Sequence, residues 1–196
     1  MNINARMDFR MIQSQIEIIE QAIIYLQSVD NNDYCEIITP KFESSAGSHI
    51  RHIIDHYESI RIGFISGVID YNIRSRGTSV EQDPQLAIQK LTSLSNWISE
   101  LKPADIDKKV KLTTEVSIIR KKIVSVESNL ARELIFAGSH AIHHYAIISQ
   151  IEKSKPNDQQ AYAPNNFGIA PATATFLRSS SEKIELVNSK QKESVK

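Results

Sequence analysis

ARELIFAGSHAIHHYAII, residues 131–148, reads as one helix with an unusually wide apolar surface. Leu134, Ile135, Ala137, Gly138, Ala141, Ile142, Tyr145 and Ile148 recur at spacings of one, three and four, which predicts the most buried helix of the chain. Ser125 or Ser128 is placed to cap its start, and the pattern continues to about Lys153, before Pro156 and Asn157 stop it. Set into this helix are His140 and His144, four residues apart and so on one face; His143 points about 100° away from His144.

The other three of the six histidines fall in SHIRHIIDH, residues 48–56. His49, His52 and His56 stand at i, i+3 and i+7 and project from one side of a second helix. Packed face to face, the two helices would gather imidazoles, and neutral imidazole nitrogen is a common ligand for Zn²⁺, Ni²⁺, Fe²⁺ and Cu²⁺. Three on one facet would leave coordination positions open for water or substrate. Cys35 is the single cysteine, so a metal here would be held by nitrogen and oxygen, and Cys35 itself reads as an inert, partly buried thiol.

Outward from these clusters, residues 8–28 carry Met11, Ile12, Ile16, Ile19, Ala22, Ile23 and Leu26 in a 3.6-residue stripe, a first amphipathic helix ended by the turn residues 30–33. Pro40 keeps the following segment extended until Ser44, Ser45 or Ser48 caps the second helix, which is expected over about 48–69. DYNIRSRGTSVEQDP reads as a polar connector, and Asp83 with Pro84 opens a third helix to Leu101. Alternating Val, Leu, Thr and Ile over 109–126 suggest a small β-hairpin or extended crossover. An ordered arm is expected around YAPNNFGIAPATATFL, with Pro171 starting a short helix. The expected architecture is all-α, one four-helix bundle domain over 1–178, followed by a polar, disordered tail over 179–196.

Balanced charge, 23 basic against 23 acidic residues, provides no global field for nucleic acid or an anionic membrane, and Arg120-Lys121-Lys122 is the one short basic run. The N-terminal residues lack the apolar core and small-residue site of a secretory signal, so a cytoplasmic protein is expected, with no nucleic-acid or membrane partner. The Ile-rich first and last helices offer surfaces for a homodimer.

GSHIRHIIDHYES, DYNIRSRG, ARELIFAGSHAIHHYAII and FGIAPATATFL resemble the DinB/YfiT-like superfamily of metalloenzymes, and within it one uncharacterised bacterial subgroup. The resemblance runs from about Gln13 to Leu177. It implies an up-up-down-down four-helix bundle with a long crossover and a divalent ion, Zn, Ni, Fe or Mn, held by His52, His140 and His144. It also implies a small-molecule substrate, with water or a low-molecular-weight thiol activated for transfer or isomerisation.

Around that triad, His49 reads as an alternative ligand or a supporting partner, His56 as a residue at the pocket mouth or in solvent, and His143 as a pocket or bundle residue. Asp55 and Glu133 are candidates to orient a ligand's far N–H, although a surface salt bridge is the commoner role for a residue placed like Glu133. Arg51, Arg74, Arg76 and Arg132 are candidates to gather an anionic substrate, and Tyr71 and Tyr145 to furnish a phenol or an apolar wall. Two rival readings remain: a non-catalytic, stress-associated metal- or ligand-binding protein, and a hemerythrin-like or ferritin-like di-iron protein. The di-iron reading is weakened because neither cluster contains the Glu-x-x-His pair that such bundles use.

Overall fold

The computed structural model describes residues 3–155, 162–164 and 166–180. Among them the elements are α1 (Ile3–Ser28), α2 (Asn31–Cys35), α3 (Ala46–Ser66), β1 (Val68–Asp70), a 3₁₀ turn (Ser79–Glu81), α4 (Pro84–Ser99), α5 (Pro103–Ile106), β2 (Lys109–Glu115), β3 (Ile123–Asn129) and α6 (Leu130–Lys153). Residues 171–180 are helical as well. The fold is mostly helical with a small three-stranded sheet. No described helix is long and apolar enough to cross a membrane.

The caps explain where the long helices begin. Ser45 accepts from the Ser48 N–H to open α3, and Asp83, ahead of Pro84, accepts from Gln85 and Leu86 to open α4. At α6 the expected serine caps give way to Asn129, whose side chain accepts from the Arg132 N–H. Ser125 and Ser128 instead lie within β3, because the hairpin runs without a break into the helix. The connector after α3 is also less irregular than its composition suggests. Gly67 ends the helix in the left-handed region (φ 80°), and Val68–Asp70 pair in parallel with Lys111–Thr113 of β2. β2 pairs antiparallel with β3 from Lys109↔Asn129 to Glu115↔Ile123, giving the strand order β1-β2-β3.

Helices α1 and α3 each pack against both α4 and α6, closing a four-helix arrangement around one apolar core. Ile19, Tyr25, Ile50, Tyr57, Leu91, Leu134 and Tyr145 are fully enclosed in it. The buried phenols are satisfied across elements: Tyr25 donates to Glu152, Tyr57 to Gln15, and Tyr145 to the Ile18 carbonyl. The arm expected after α6 is present where it is described. Phe167 stacks on Tyr145 at 4.6 Å and near Tyr25 at 5.4 Å. Gly168 (φ 76°) lets the chain lie against α6, since a Cβ there would come within 2.2 Å of the Ala146 nitrogen. Of the tail expected over 179–196, Ser179 and Ser180 belong to the helix over 171–180, and the remainder lies outside the described residues.

The first turn of α3 is pressed against the 3₁₀ turn. A Cβ on Gly47 would sit 2.1 Å from the Glu81 carbonyl oxygen, a backbone atom that cannot rotate away. Gly47→Ala is therefore expected to destabilise the fold by about 2 kcal/mol, read from denaturant unfolding. A change within a few tenths of a kcal/mol would show that the contact is not close.

Candidate metal centre

The helical spacing of the two histidine clusters becomes a site because α3 and α6 lie side by side. His52 Nε2 stands 2.9 Å from His140 Nε2, and His144 Nε2 stands 3.2 Å from the same atom. The ligand atoms of His52, His140 and His144 all lie within 4.8 Å of one another, an arrangement capable of holding a metal ion. Two nitrogens bound 2.0–2.1 Å from a tetrahedral Zn²⁺ stand about 3.3 Å apart, so the two closest separations need only a few tenths of an ångström to fit. All three imidazoles are half-buried.

Electrostatics favour the ligating form. Desolvation by burial, helped by the positive charge of neighbouring His and Arg groups, pushes the His52 and His144 pKa values down to about 3 and also lowers that of His140. The rings are therefore neutral at pH 7 and keep a nitrogen lone pair available.

His49 supports the triad from one side. Its Nδ1 meets His144 Nδ1 at 2.8 Å, and its Nε2 meets Ser44 Oγ at 2.9 Å. Burial, followed by the nearby His143 and Arg51, lowers the His49 pKa to about 4. With His144 Nε2 turned to a metal, His144 Nδ1–H donates to His49 and His49 Nε2–H donates to Ser44, an unbroken chain that fixes both rings.

On the other side stands Arg74. Its Nη1 lies 2.5 Å from His52 Nδ1 and 3.2 Å from His56 Nε2. A guanidinium only donates, so His52 Nδ1 accepts, and the hydrogen of the neutral ring falls on Nε2, toward His140. The loop reaches this place because it is pinned to α3. Arg51, 8% exposed, donates to Asp55 at 2.9 Å and to Glu81 at 2.7 Å, and Asp55 accepts from the Ser75 N–H at 3.1 Å and from the Ser75 hydroxyl.

Several expected roles change. His56 is not at a solvated mouth: it is 5% exposed, its ring lies 4.5 Å from that of His140 and 4.7 Å from that of Tyr71, and burial lowers its pKa to about 3. Seven residues after His49, it has been turned inward under the loop that follows β1. Its Nδ1 is the one buried side-chain nitrogen or oxygen without a hydrogen-bond partner among the described residues. Neither Asp55 nor Glu133 hydrogen-bonds or ion-pairs with a histidine. Asp55 holds Arg51 and Ser75, while Glu133, fully buried rather than superficial, accepts from Tyr71 at 2.8 Å and from Ser128 and Arg132 at 2.5 Å. Arg51 and Arg132 are thus committed to carboxylates, Arg76 is exposed, and His143 lies exposed beside His140 and His144. Tyr145 is core, and Tyr71 with Phe136 walls the site beside His56. Cys35 is partly buried, with its thiol pKa raised by burial.

No family model matches the chain, and no solved structure matches it. Among curated proteins it is similar to FK506-binding protein 5 of Rhizopus delemar, 27% identical over 111 residues. The match covers 57% of this chain and 28% of that protein, so the chain accounts for little more than a quarter of the relative's length.

The depressed histidine pKa values make a stability prediction for metal-stripped protein. His49, His52, His56 and His144 titrate near 3 to 4 when folded and near 6.5 when unfolded, so the unfolded chain binds more protons between those limits. Stability is complete above about pH 6.5 and falls as the pH drops toward 4. Urea unfolding at pH 7.5 and pH 5 checks this: the denaturation midpoint should fall, and His56→Gln should make the fall smaller. A flat profile would mean that the imidazoles are not desolvated.

Proposed function

We propose that His52, His140 and His144 hold one divalent ion and that the protein is a metal-dependent enzyme of the DinB/YfiT-like kind, activating water or a low-molecular-weight thiol. The observation that carries this reading is the convergence of three neutral Nε2 atoms from two facing helices. A three-histidine ion keeps open coordination positions, and it would lower the pKa of a bound water or thiol toward neutrality.

The chain's own groups have separable parts in this scheme. His49 and Ser44 orient His144. Tyr71 and Phe136 exclude water beside His56. Arg74 opposes loading, because His52 ligating through Nε2 carries its hydrogen on Nδ1, where the arginine N–H also points. Arg74 must then turn away from His52.

One observation favours a non-catalytic binding protein as the second reading: among the described residues no carboxylate hydrogen-bonds or ion-pairs with a site histidine, which leaves proton transfer to the histidines themselves. The same fact counts against a di-iron centre, which needs bridging carboxylates. The fungal relative's name assigns FK506 to that protein, and a match to 28% of its length carries no ligand over.

Metal analysis of tag-free protein by mass spectrometry is the test. Near one equivalent of Zn, Ni, Fe or Mn is expected, lost in His52→Ala and in His140→Ala/His144→Ala. Retention of the ion by those variants would remove the assignment, and two irons would favour the di-iron alternative.

Chelator competition supplies a finer prediction. His49→Ala should weaken the metal roughly 10-fold by removing the acceptor behind His144. Arg74→Gln should tighten it, since the carboxamide oxygen can accept from His52 Nδ1–H. Weaker binding in Arg74→Gln would show that the arginine supports the loaded site.

A further inference from the structure

A cavity of about 540 Å³ opens on the side of α3 away from the histidine cluster, between that helix, β1, the loop that carries Arg74, and the start of α4. None of the six histidines lines it. Its walls are largely apolar, with Ile54, Ile73, Val80 and Leu86 among them, and its volume is that of a small-molecule site.

Charge decides what fits. The lining carries Asp55, Glu58 and Asp70 against Arg61, Arg74 and Lys90. Each carboxylate is already engaged: Asp55 by Arg51 and Ser75, Glu58 by Arg61 at 2.6 Å, and Asp70 by the Asn72 N–H and side-chain amide. Lys90 is exposed, and neither it nor Arg74 forms an ion pair among the described residues. Arg74 is half-buried and anchored through Nη1 alone, on the two neutral imidazoles. Its Nε and Nη2 have no hydrogen-bond partner among the described residues, and neither is fully buried. A guanidinium held by one nitrogen with two donors left over matches the two oxygens of a carboxylate.

We infer that this cavity binds a small amphipathic monocarboxylate, its apolar body against α3 and α4 and its carboxylate on Arg74. A dianionic head would fit less well, because Asp55 and Asp70 also face the cavity. The inference does not rest on the metal reading. It is tested on metal-stripped protein, so failure to bind a metal and failure to bind a carboxylate are separate results.

The experiment is calorimetric titration of metal-stripped protein with octanoate, 1-octanol and octylammonium. Octanoate is expected to bind tightest. Arg74→Gln should weaken octanoate at least about 10-fold, the scale of a hydrogen bond to a charged group, while leaving 1-octanol unchanged. Unchanged 1-octanol binding also reports that the cavity of the variant is intact. Methyl spectra of wild type supply a readout that needs no variant: signals of Ile54, Val80 and Leu86 should move with octanoate, while those of Ile24 and Ile142, which line a different cavity, should not. The inference is overturned if octanoate and 1-octanol bind alike, if octanoate binding is unchanged by Arg74→Gln, if neither compound binds at millimolar concentration, or if the shifted methyls lie elsewhere.

Discussion

The contact between α3 and α6 is the constraint from which the rest follows. Two helices far apart in sequence must lie side by side at one register for His52 to meet His140 and for His49 to meet His144. Ile50, Ile53 and Tyr57 on α3 and Leu134, Ala141 and Tyr145 on α6 are all but removed from water, and that burial drives the packing. The small residues of α6 matter here. A Cβ on Gly138 would come within 3.0 Å of the Gln15 side chain, so α1 also approaches α6 closely. β3 feeds α6 directly through Asn129, which pairs with Lys109 and caps the helix at once, so the sheet sets where the helix starts.

Against this apolar drive stands the cost of gathering imidazoles in a desolvated cleft. The shifts of His49, His52, His56, His140 and His144 have the same sign and the same leading cause, burial of the charged form. The rings are therefore held neutral, and neutral rings satisfy one another as alternating donors and acceptors. Ser44, His49 and His144 form one such run, and Arg74, His52 and His140 form another. The runs differ in one respect that bears on function. The first ends on a hydroxyl, which can donate or accept, and so tolerates reversal of every hydrogen in it. The second ends on a guanidinium, which can only donate and does not tolerate reversal.

Much of the helical framework was legible because periodicity reports directly which face is buried. The stripe over residues 8–28, the Asp83-Pro84 opening and the histidine facets all correspond to features of the structure. What periodicity does not encode is the path of a connector. Val68–Asp70 is too short to alternate visibly, and its pairing with β2 depends on residues some forty positions later. His56 follows the same logic: one turn beyond His52 it reads as the open end of the histidine face, but Tyr71 and Arg74 of the returning chain cover it. The charged residues near the site were the hardest to place. Asp55 and Glu133 have the spacing of histidine partners, but a buried carboxylate takes the nearest strong donors. Those donors are Arg51 and Ser75 for Asp55, and Tyr71, Ser128 and Arg132 for Glu133.

That redistribution of charge gives the connector its importance. Arg51 is nearly buried and divides its donors between Asp55 on its own helix and Glu81 on the 3₁₀ turn, while Glu81 also receives the Gly77 N–H at 3.2 Å. Breaking such a network by removing one member costs more than its assembly contributes, because a charge is left buried without its partner. The loop is therefore held at both ends, through Ser75 at Asp55 and through Gly77 at Glu81, with Arg74 next to the first of these clamps. Arg74 is in this way positioned by a pinned backbone and tethered in side chain through Nη1 alone. One guanidinium nitrogen rests on the histidines of α3, and the same residue lines the cavity behind that helix. A polar connector of unremarkable composition thus becomes the wall shared by a metal-competent cluster and a separate apolar cavity.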